Sequence, residues 1–210
     1  IPAPYSVYRG IHKLFPGTVL RYRDGEVTTR AFWSLRSSVE HALREPYTGS
    51  AEAAEGELNR LLRDAVRLRM HADVPLGAFL SGGIDSSLIV ALMQAQSDRP
   101  VRTFSIGFHE EGYNEASDAR AVAQHLGTDH TELYVTSAEA IDLVGRLPEV
   151  YDEPFADSSQ IPTLLVSQLA RKHVTVSLSG DGGDEVFGGY NRYTWGGRVW
   201  KRLDGTPRSL

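Results

Sequence analysis

The sequence predicts an α/β fold whose core is a doubly wound parallel sheet. Two observations carry this prediction. Apolar, strand-like runs alternate with helical patterns from residue 76 onward, and two of the runs end in serine-glycine turns. Such alternation places helices on both faces of a parallel sheet. The strand-like runs occupy residues 76–80, 102–108, 130–135 and 174–178, and the helical patterns occupy residues 86–96, 115–126, 138–147 and 161–172.

Short β-type runs come first in the chain, within Ile11–Leu35. The dipeptides Pro16-Gly17 and Asp24-Gly25 separate these runs. Turn dipeptides between short strand-like runs are typical of β-hairpins. We therefore predict hairpin strands before the parallel sheet begins.

Residues 36–50 are predicted to link two domains, because they contain Pro46, Gly49 and Ser50. Ser50 is also predicted to cap a following helix. Apolar residues recur there at helical spacing, and charged residues fill the other face as a solvated surface. The recurring apolar residues are Leu58, Leu61, Leu62, Ala65 and Val66.

The turn Ser81–Ser87, with the sequence SGGIDSS, follows a predicted strand and precedes a predicted helix. Free backbone N–H groups converge at such a helix amino end, the helix dipole adds positive potential, and Gly82 and Gly83 carry no Cβ that would hold a phosphate away. The hydroxyls of Ser81, Ser86 and Ser87 are expected to add donors. The lysine of a Walker site is missing. The turn therefore suits a pyrophosphate group, whereas a bare SGG would also fit a simple connection.

Asp85 is an acid inside this predicted phosphate cradle. A carboxylate beside phosphates is repulsive unless a cation lies between them. Its presence therefore indicates Mg²⁺ bridging Asp85 and the phosphates. The alternative is that Asp85 only caps the helix, and capping does not exclude metal binding.

A second turn, Ser179–Tyr193, follows the apolar stretch Val174–Leu178 and carries the acids Asp181, Asp184 and Glu185 among five glycines. Ligands of open parallel sheets bind beyond the carboxyl ends of the strands, so the two turns are expected to face one site. Asp184 would then be a second carboxylate for the metal. A calcium-like or merely flexible acidic loop is the alternative, but the EF-hand spacing is absent.

Five segments, in family order, are similar to the synthetase domain of glutamine-dependent asparagine synthetases. Within the first of them, Ser81–Ser87 resembles the PP-loop of the N-type ATP pyrophosphatases. The resemblance implies a fold of the adenine-nucleotide alpha hydrolase type. In that family ATP activates the aspartate side chain as an acyl adenylate, and ammonia then displaces AMP to give the amide. The segments are Asp73–Ser87, Arg102–Phe108, Tyr113–His130, Tyr151–Thr163 and Val176–Tyr193.

The resemblance also implies roles for residues at the ends of three strands. Asp85 and Asp184 would hold Mg²⁺, and Asp181 would orient or deprotonate the attacking ammonia. Ile106 matches a position whose main chain contacts adenine. The implied ATP contacts are Leu80, Ser81, Gly82, Gly83, Ile84, Asp85, Ser86, Ser87, Ile106, Ser179 and Gly180.

The loop Tyr151–Pro162 borders the amino-acid substrate in the resembling family. Many members place an arginine there to bind the substrate carboxylate, whereas this chain has alanine, aspartate and two serines at positions 156–159. We expect Asp157 to bind the substrate ammonium group and Ser158 its carboxylate, and Ser159 is also expected to contact the substrate. The missing arginine leaves open whether the acceptor is free aspartate or another carboxylate.

Three further acids leave alternatives open. Asp152 and Glu153 fit structural caps or turn residues as well as substrate contacts. Asp181 stands where many relatives have glutamate. Its side chain is shorter by one C–C bond, about 1.5 Å, which leaves its role as a base uncertain.

The chain contains no cysteine, which excludes disulfides and thiolate metal sites. In the resembling enzymes a cysteine of an amino-terminal glutaminase domain releases ammonia from glutamine, and Ile11–Leu35 is similar to the closing strands of that domain. We therefore expect a fragment that binds adenine nucleotide weakly and is inactive alone. Residues 1–35 would be a glutaminase remnant, residues 36–50 a linker and residues 51–210 an incomplete ATP-binding synthetase domain.

The 210 residues suffice for one domain with its own core, and 41% hydrophobic with 23% charged residues is an ordinary balance for a soluble protein. The net charge of −5 disfavours binding to nucleic acid. The basic and aromatic cluster of residues 192–202 is expected either on the surface of a terminal helix or in contact with missing chain. No apolar run reaches membrane-spanning length and no cleavable signal opens the sequence, so we expect a cytoplasmic protein. The implied partners are aspartate, ATP and ammonia from glutamine, and a homodimer of the full-length protein stays open.

Three alternative functions stay open. A β-lactam synthetase, a peptide macrocyclase or another ATP-dependent amide synthetase would share the ATP site and differ in its acceptor. A GMP synthetase or a tRNA-thiolating enzyme is more distant, and no guanine or RNA signature is found. A nucleotide-binding module without catalysis is the third.

Overall fold

The computed structural model describes residues 1–109, 115–154 and 156–204. Tyr113 and Asn114, in the third similar segment, and Phe155, in the fourth, lie outside the described residues.

The chain divides into two compact units: the first comprises Ile1–Asn59 with Asp142–Gln160, and the second comprises Arg60–Ile141 with Ile161–Leu210. In chain order the elements are β1 (Thr18–Arg23), β2 (Glu26–Ala31), α1 (Leu35–Arg44), α2 (Ala51–Arg69), β3 (Leu76–Phe79), α3 (Ile84–Gln94), β4 (Arg102–Phe108), α4 (Ala116–Leu126), β5 (Asp129–Val135), α5 (Ser137–Asp142), a 3-10 helix (Val144–Arg146), α6 (Leu147–Tyr151), α7 (Gln160–Arg171), β6 (Val176–Leu178), α8 (Gly183–Phe187) and α9 (Asn191–Leu203).

The first unit contains a β-hairpin. β1 and β2 pair antiparallel, with Thr18 opposite Ala31 and Arg23 opposite Glu26. Both residues of the turn Asp24-Gly25 have positive φ, 52° and 86°. A type I′ turn has this geometry, and its twist matches the twist of the paired strands. The hairpin predicted at Asp24-Gly25 is confirmed.

Helix α1 lies within the segment predicted as a linker, 36–50. Its N-cap is Ser34, whose hydroxyl accepts a hydrogen bond from the Ser37 N–H (3.3 Å). The helix ends at Arg44, two residues before Pro46. A proline disfavours helical backbone in the residue before it. Pro46 therefore marks the end of a helix, and only the remainder of the segment is irregular.

Helix α2 begins where Ser50 was expected to cap it. The Ser50 hydroxyl accepts a hydrogen bond from the Ala53 N–H at 3.2 Å. Near the other end of the helix, Val66 is buried and Leu62 packs beside it in a core cluster. Leu62 and Val66 of the predicted apolar stripe therefore face the core of the second unit, whereas Leu58 and Leu61 are exposed.

The second unit contains a four-stranded sheet in the order β5-β4-β3-β6, with every pair parallel. Gly77 of β3 lies opposite Arg102 of β4 and Ser177 of β6. The chain runs outward from β3 through α3, β4 and α4 to β5, and then returns through α7 to place β6 on the other side of β3. The predicted α/β fold with a parallel sheet is confirmed.

Alternate residues of β3 pack into two different layers of the core. Ala78 belongs to a cluster with Val90 of α3 and Ala119 of α4. Phe79 packs against a second cluster that includes Leu169 of α7. Successive strand side chains point to opposite faces. Helices α3 and α4 therefore cover one face of the sheet and α7 covers the other, as the doubly wound prediction requires.

The helix predicted over 138–147 is interrupted. Helix α5 ends at Asp142, the 3-10 helix Val144–Arg146 follows, and α6 begins at Leu147. Pro148 lies in the first turn of α6, where its missing N–H is tolerated, but in the interior of one long helix it would remove a hydrogen bond. The other predicted strands and helices of the sheet region agree with the structure within two residues at each end.

Candidate functional site

The turn Ser81–Ser87 connects the end of β3 to the first turn of α3. Gly83 is the N-cap of α3, and its carbonyl accepts the Ser87 N–H at 3.0 Å. Helix geometry leaves the N–H groups of Ile84, Asp85 and Ser86 without helical acceptors. These groups form the positive end of the helix dipole. The turn therefore has the donor arrangement of an anion site.

Two serine hydroxyls of this turn bond within the turn itself. The hydroxyls of Ser81 and Ser86 lie 2.9 Å apart, and each also accepts a backbone N–H, from Gly83 and Ser81 respectively, at 3.2 Å. They therefore fix the shape of the loop. The Ser87 hydroxyl is buried and has no hydrogen-bond partner among the described residues. Direct contact of these hydroxyls with a phosphate stays a prediction.

Helix α4 packs against the turn Ser81–Ser87 at Gly82. Gly82 has a φ of +83°, and a Cβ placed on it would lie 2.7 Å from both the Ala119 backbone nitrogen and the Asp118 Cβ. A side chain at position 82 would therefore meet backbone as well as unfavourable φ. The contact between Gly82 and α4 was not predicted, because the local sequence around Gly82 shows neither its positive φ nor the approach of a helix 36 residues later in the chain.

The second turn meets the first between β3 and β6. The winding direction of the sheet reverses there, and ligands of such sheets bind at this switch point. A Cβ on Gly180 would lie 2.6 Å from the Ser86 backbone nitrogen, and one on Gly183 would overlap the Asp85 carboxylate. The expectation that the two strand-end turns come together is confirmed.

Two acids of the second turn are close in sequence to Gly183, which lies at this junction: Asp184 directly follows it and Asp181 precedes it by two residues. Asp184 is half-buried in the first turn of α8, and its carboxylate abuts Gly189. Asp181 is exposed, and its carboxylate accepts a hydrogen bond from the Ser179 hydroxyl at 3.0 Å. That bond fixes the direction of the Asp181 side chain. The described residues contain no group of three or more His, Cys, Asp or Glu side chains placed to hold a metal.

The side chains of Leu80 and Ile106, two predicted ATP contacts, pack in the hydrophobic core. Leu80 is 1% exposed, and its N–H donates to the Phe104 carbonyl at 2.9 Å. Ile106 is half-buried on β4, lies opposite Leu133 of β5 and packs against the second core cluster. Any contact of Ile106 with adenine therefore has to come from its main chain, as the resemblance implied.

The residues predicted to bind the acceptor lie in the first compact unit, whereas both turns lie in the second. Asp157, Ser158 and Ser159 are exposed, and the Asp157 carboxylate accepts the Ser159 N–H at 2.8 Å. The loop is closed at its ends by the Tyr151 hydroxyl, which donates to the Gln160 carbonyl at 2.7 Å. Their role with a substrate stays a prediction.

A polar network between β4, β5 and α4 was not foreseen from the sequence. The His130 Nδ1 lies 2.8 Å from the Thr103 hydroxyl, and the Arg120 Nε donates to Glu132 at 2.8 Å. Burial lowers the pKa of His130, and the hydrogen bond from Arg120 lowers the pKa of Glu132. The folded protein therefore favours a neutral imidazole beside a charged carboxylate.

A cavity of about 800 Å³ lies at the opposite end of the sheet from the two turns. Its walls include Leu76, Arg102 and Asp129, which are the first residues of β3, β4 and β5. It is therefore separate from the candidate site. Within the described ranges, no helix combines the length and apolar character needed to cross a membrane.

The asparagine synthase family matches residues 57–209 of the chain. A putative asparagine synthetase [glutamine-hydrolyzing] 2 from Methanocaldococcus jannaschii is 41% identical over 95% of this chain and 38% of its own length. Asparagine synthetase [glutamine-hydrolyzing] 1 from Bacillus subtilis is 35% identical over 92% of this chain and 29% of its own length. The chain thus spans well under half of these relatives. Among solved structures, an NH3-dependent NAD synthetase from Campylobacter jejuni aligns with a TM-score of 0.45 and 15% identity, covering 65% of this chain and 60% of that one.

Proposed function

The chain belongs to the asparagine synthase family, and we propose that it carries the ATP-binding turns of a longer ligase that forms asparagine from aspartate. One observation supports the proposal most strongly. The two serine-glycine turns meet at the switch point of the sheet, with Gly183 of the second turn against Asp85 of the first. In the proposal the longer protein works in the cytoplasm and takes ammonia from glutamine.

The pyrophosphate end of ATP would bind the turn Ser81–Ser87. The N–H groups of the first turn of α3 point outward without helical acceptors, and the dipole of α3 favours negative charge there. The main chain of Ile106 would contact adenine, and Ser179 and Gly180 would border the nucleotide from the second turn. Because the first turn is held by its own hydrogen bonds, it would bind phosphates without rearranging.

Asp85 and Asp184 fit Mg²⁺. This ion keeps several waters and binds through one or two carboxylates together with substrate phosphates, so it needs no larger protein cluster. The Asp85 carboxylate lies against Gly183, the residue directly before Asp184, so both acids belong to the segments that meet at the junction. When bound, the ion would offset the negative charge of the phosphates.

The proposed reaction has two steps. First, a substrate carboxylate oxygen attacks the α-phosphorus of ATP, and the bond to the β-phosphate breaks to release pyrophosphate and leave β-aspartyl-AMP. Second, ammonia attacks the acyl carbon, AMP leaves, and the proton from ammonia passes to Asp181. The hydrogen bond from Ser179 would hold Asp181 in the orientation that accepts this proton. Positioning and charge stabilisation supply most of the acceleration.

The acceptor would be bound by loop 151–160, with Asp157 on its ammonium group and Ser158 and Ser159 on its carboxylate. The hydrogen bond from the Ser159 N–H already orients the Asp157 carboxylate. The absence of an arginine at positions 156–159 favours, as a second candidate, another amide or lactam synthetase that uses a different carboxylate.

Pyrophosphate release by the full-length parent protein across a panel of carboxylic acids tests the proposal. Glutamine, ammonium salt or neither would be supplied as nitrogen donor. We expect release that depends on aspartate, with asparagine formed when either donor is present. Product without any donor would instead indicate a lactam synthetase, whose attacking amine belongs to the substrate. No release with any acid would contradict both candidates.

A further inference from the structure

Two segments that are distant in sequence meet inside the first unit. The Lys13 Nζ lies 2.7 Å from the Glu153 carboxylate, and the Tyr8 hydroxyl donates to the Asp152 carbonyl at 2.8 Å. These contacts join the amino-terminal segment, residues 1–13, to the beginning of loop 151–160. Sequence reasoning left Asp152 and Glu153 open between caps and substrate contacts, and the structure gives both residues a partner.

The Lys13–Glu153 pair is more protected than other ion pairs of the same unit. The Glu153 side chain is 16% exposed and that of Lys13 is 38% exposed, whereas Arg36 and Glu40 are 88% and 49% exposed. The hydrogen bond from Lys13 lowers the pKa of Glu153, as expected for a bond that stabilises the charged carboxylate. Exposed pairs contribute little because solvent screens them. Removing one partner of a protected pair leaves a charge with reduced access to water.

Two further contacts hold described residues at the ends of the loop. Asp152 has a φ of +58°, a conformation that is costly for a residue with a Cβ, and the Tyr8 hydroxyl holds its carbonyl in that geometry. Tyr151 bonds to Gln160 across the loop at 2.7 Å. The segment Asp157–Ser159 thus lies in a loop whose beginning is bonded to the amino-terminal segment and whose ends are bonded to each other.

We propose that Lys13 and Tyr8 are positioning residues for acceptor binding: they hold loop 151–160 in the conformation that presents Asp157–Ser159 to the acceptor. The inference rests on the proposed function, because it takes that loop as the acceptor-binding segment. Neither Lys13 nor Tyr8 touches the acceptor in this account. Their loss changes how often the loop adopts its binding conformation, so the affinity for the acceptor falls and the affinity for ATP does not.

The test uses the full-length parent and pyrophosphate release, with the acceptor that the carboxylic-acid panel identifies. We expect Lys13→Gln and Glu153→Gln each to raise the KM for the acceptor about tenfold, the effect of losing a protected charged hydrogen bond. The KM for ATP should stay within about twofold. The double variant should be no worse than either single variant, because both remove the same interaction.

Four further variants separate positioning from a general loss of stability. Lys13→Arg and the exchange Lys13→Glu with Glu153→Lys should restore the acceptor KM to within about threefold of the parent. Tyr8→Phe removes one exposed hydroxyl and should raise the acceptor KM about threefold even where a charge variant folds poorly. Arg36→Gln, which breaks the exposed pair with Glu40, is the matched control and should change neither KM.

Three outcomes would overturn this inference and leave the proposed function standing. They are equal increases in the KM values for acceptor and ATP, additive effects of the two single variants, and an acceptor KM that the variants do not change although the parent is active. No pyrophosphate from the parent with any acid would overturn the proposed function, and this inference with it.

Discussion

The turns after β3 and after β6 have similar serine-glycine sequences but are held in different ways. Ser81 and Ser86 close the first turn with their own hydrogen bonds, and Gly82 fits against the backbone of α4. In the second turn, side-chain hydrogen bonds link Ser179 to Asp181 and Tyr190 to Glu185, and neither bond involves the turn backbone. Helix α8, which follows, has five residues and buries none of them.

The second turn depends on the first for its position. Gly180 and Gly183 lie so close to Ser86 and Asp85 that neither could carry a Cβ without displacing them. We infer that the first turn is a preformed phosphate cradle, whereas the second turn is placed by packing on that cradle and contributes to chemistry. Damage to the first turn should therefore weaken nucleotide binding, and loss of the Ser179–Asp181 bond in the second turn should slow the reaction while ATP still binds.

The largest effect is expected for Gly82→Ala. The new methyl group adds strain at a positive φ of 83° and overlaps the α4 backbone, so we expect a loss of about 3–5 kcal/mol in the free energy of unfolding and no measurable ATP binding. Denaturant unfolding and calorimetric ATP titration would measure both quantities in the full-length parent.

Gly127→Ala is the matched control for this substitution. Gly127 has a φ of +72° but faces open space, so only the backbone strain of about 1–2 kcal/mol applies. Equal destabilisation by the two substitutions, or normal ATP binding by Gly82→Ala, would contradict the account of α4 as the support of the first turn.

An intermediate effect is expected when one serine of each turn is replaced. Ser179→Ala removes the bond that directs Asp181 and should lower kcat about tenfold, whereas the KM for ATP should rise by no more than about twofold, because Ser179 only borders the nucleotide. Ser81→Ala loosens the first turn and should raise the KM for ATP about tenfold. Steady-state pyrophosphate release separates the two parameters. If both variants changed the same parameter, the division between a binding turn and a chemical turn would be wrong.

The smallest effect concerns pH and lies outside both turns. Burial lowers the pKa of His130 below the value of about 6.5 that it has in the unfolded chain. The contribution of His130 to the free energy of unfolding is therefore fully present above pH 6.5. It declines as the pH falls below 6.5, because the unfolded state then takes up a proton on His130 more readily than the folded state does. Thermal midpoints at pH 7.5 and 5.5 should differ less for His130→Gln than for the parent. An identical pH dependence would show that His130 does not contribute.

Local patterns in the sequence predicted most of the sheet region. β4 was predicted with its observed limits, and the meeting of the two turns follows from parallel strands whose carboxyl ends share one edge of a sheet. Helix α1 was not predicted, because Pro46 and Gly49 indicate irregular structure and Ser34, the residue that caps the helix, was not recognised as a cap.

Contacts between distant residues could not be predicted in the same way. The support of Gly82 by α4 and the pairing of Lys13 with Glu153 join residues that no periodicity connects. The hydroxyls of Ser81 and Ser86 fit either a phosphate or the loop backbone, and only the folded loop shows which partner they have. Side-chain chemistry thus indicated which groups are present, and tertiary packing determined what they contact.

The central claim, that the two turns form one Mg-ATP site, is tested most directly by Mg²⁺ titration of pyrophosphate release in the full-length parent, Asp85→Asn, Asp184→Asn and the double variant. The account predicts that each single variant raises the half-saturating Mg²⁺ concentration about tenfold. It also predicts that the double variant falls well short of the product of the two effects, because both carboxylates would serve one ion. Asp98→Asn, an exposed acid in the connection after α3, should leave the titration unchanged. Unaltered Mg²⁺ dependence in both single variants, or fully multiplicative effects in the double variant, would contradict a shared site.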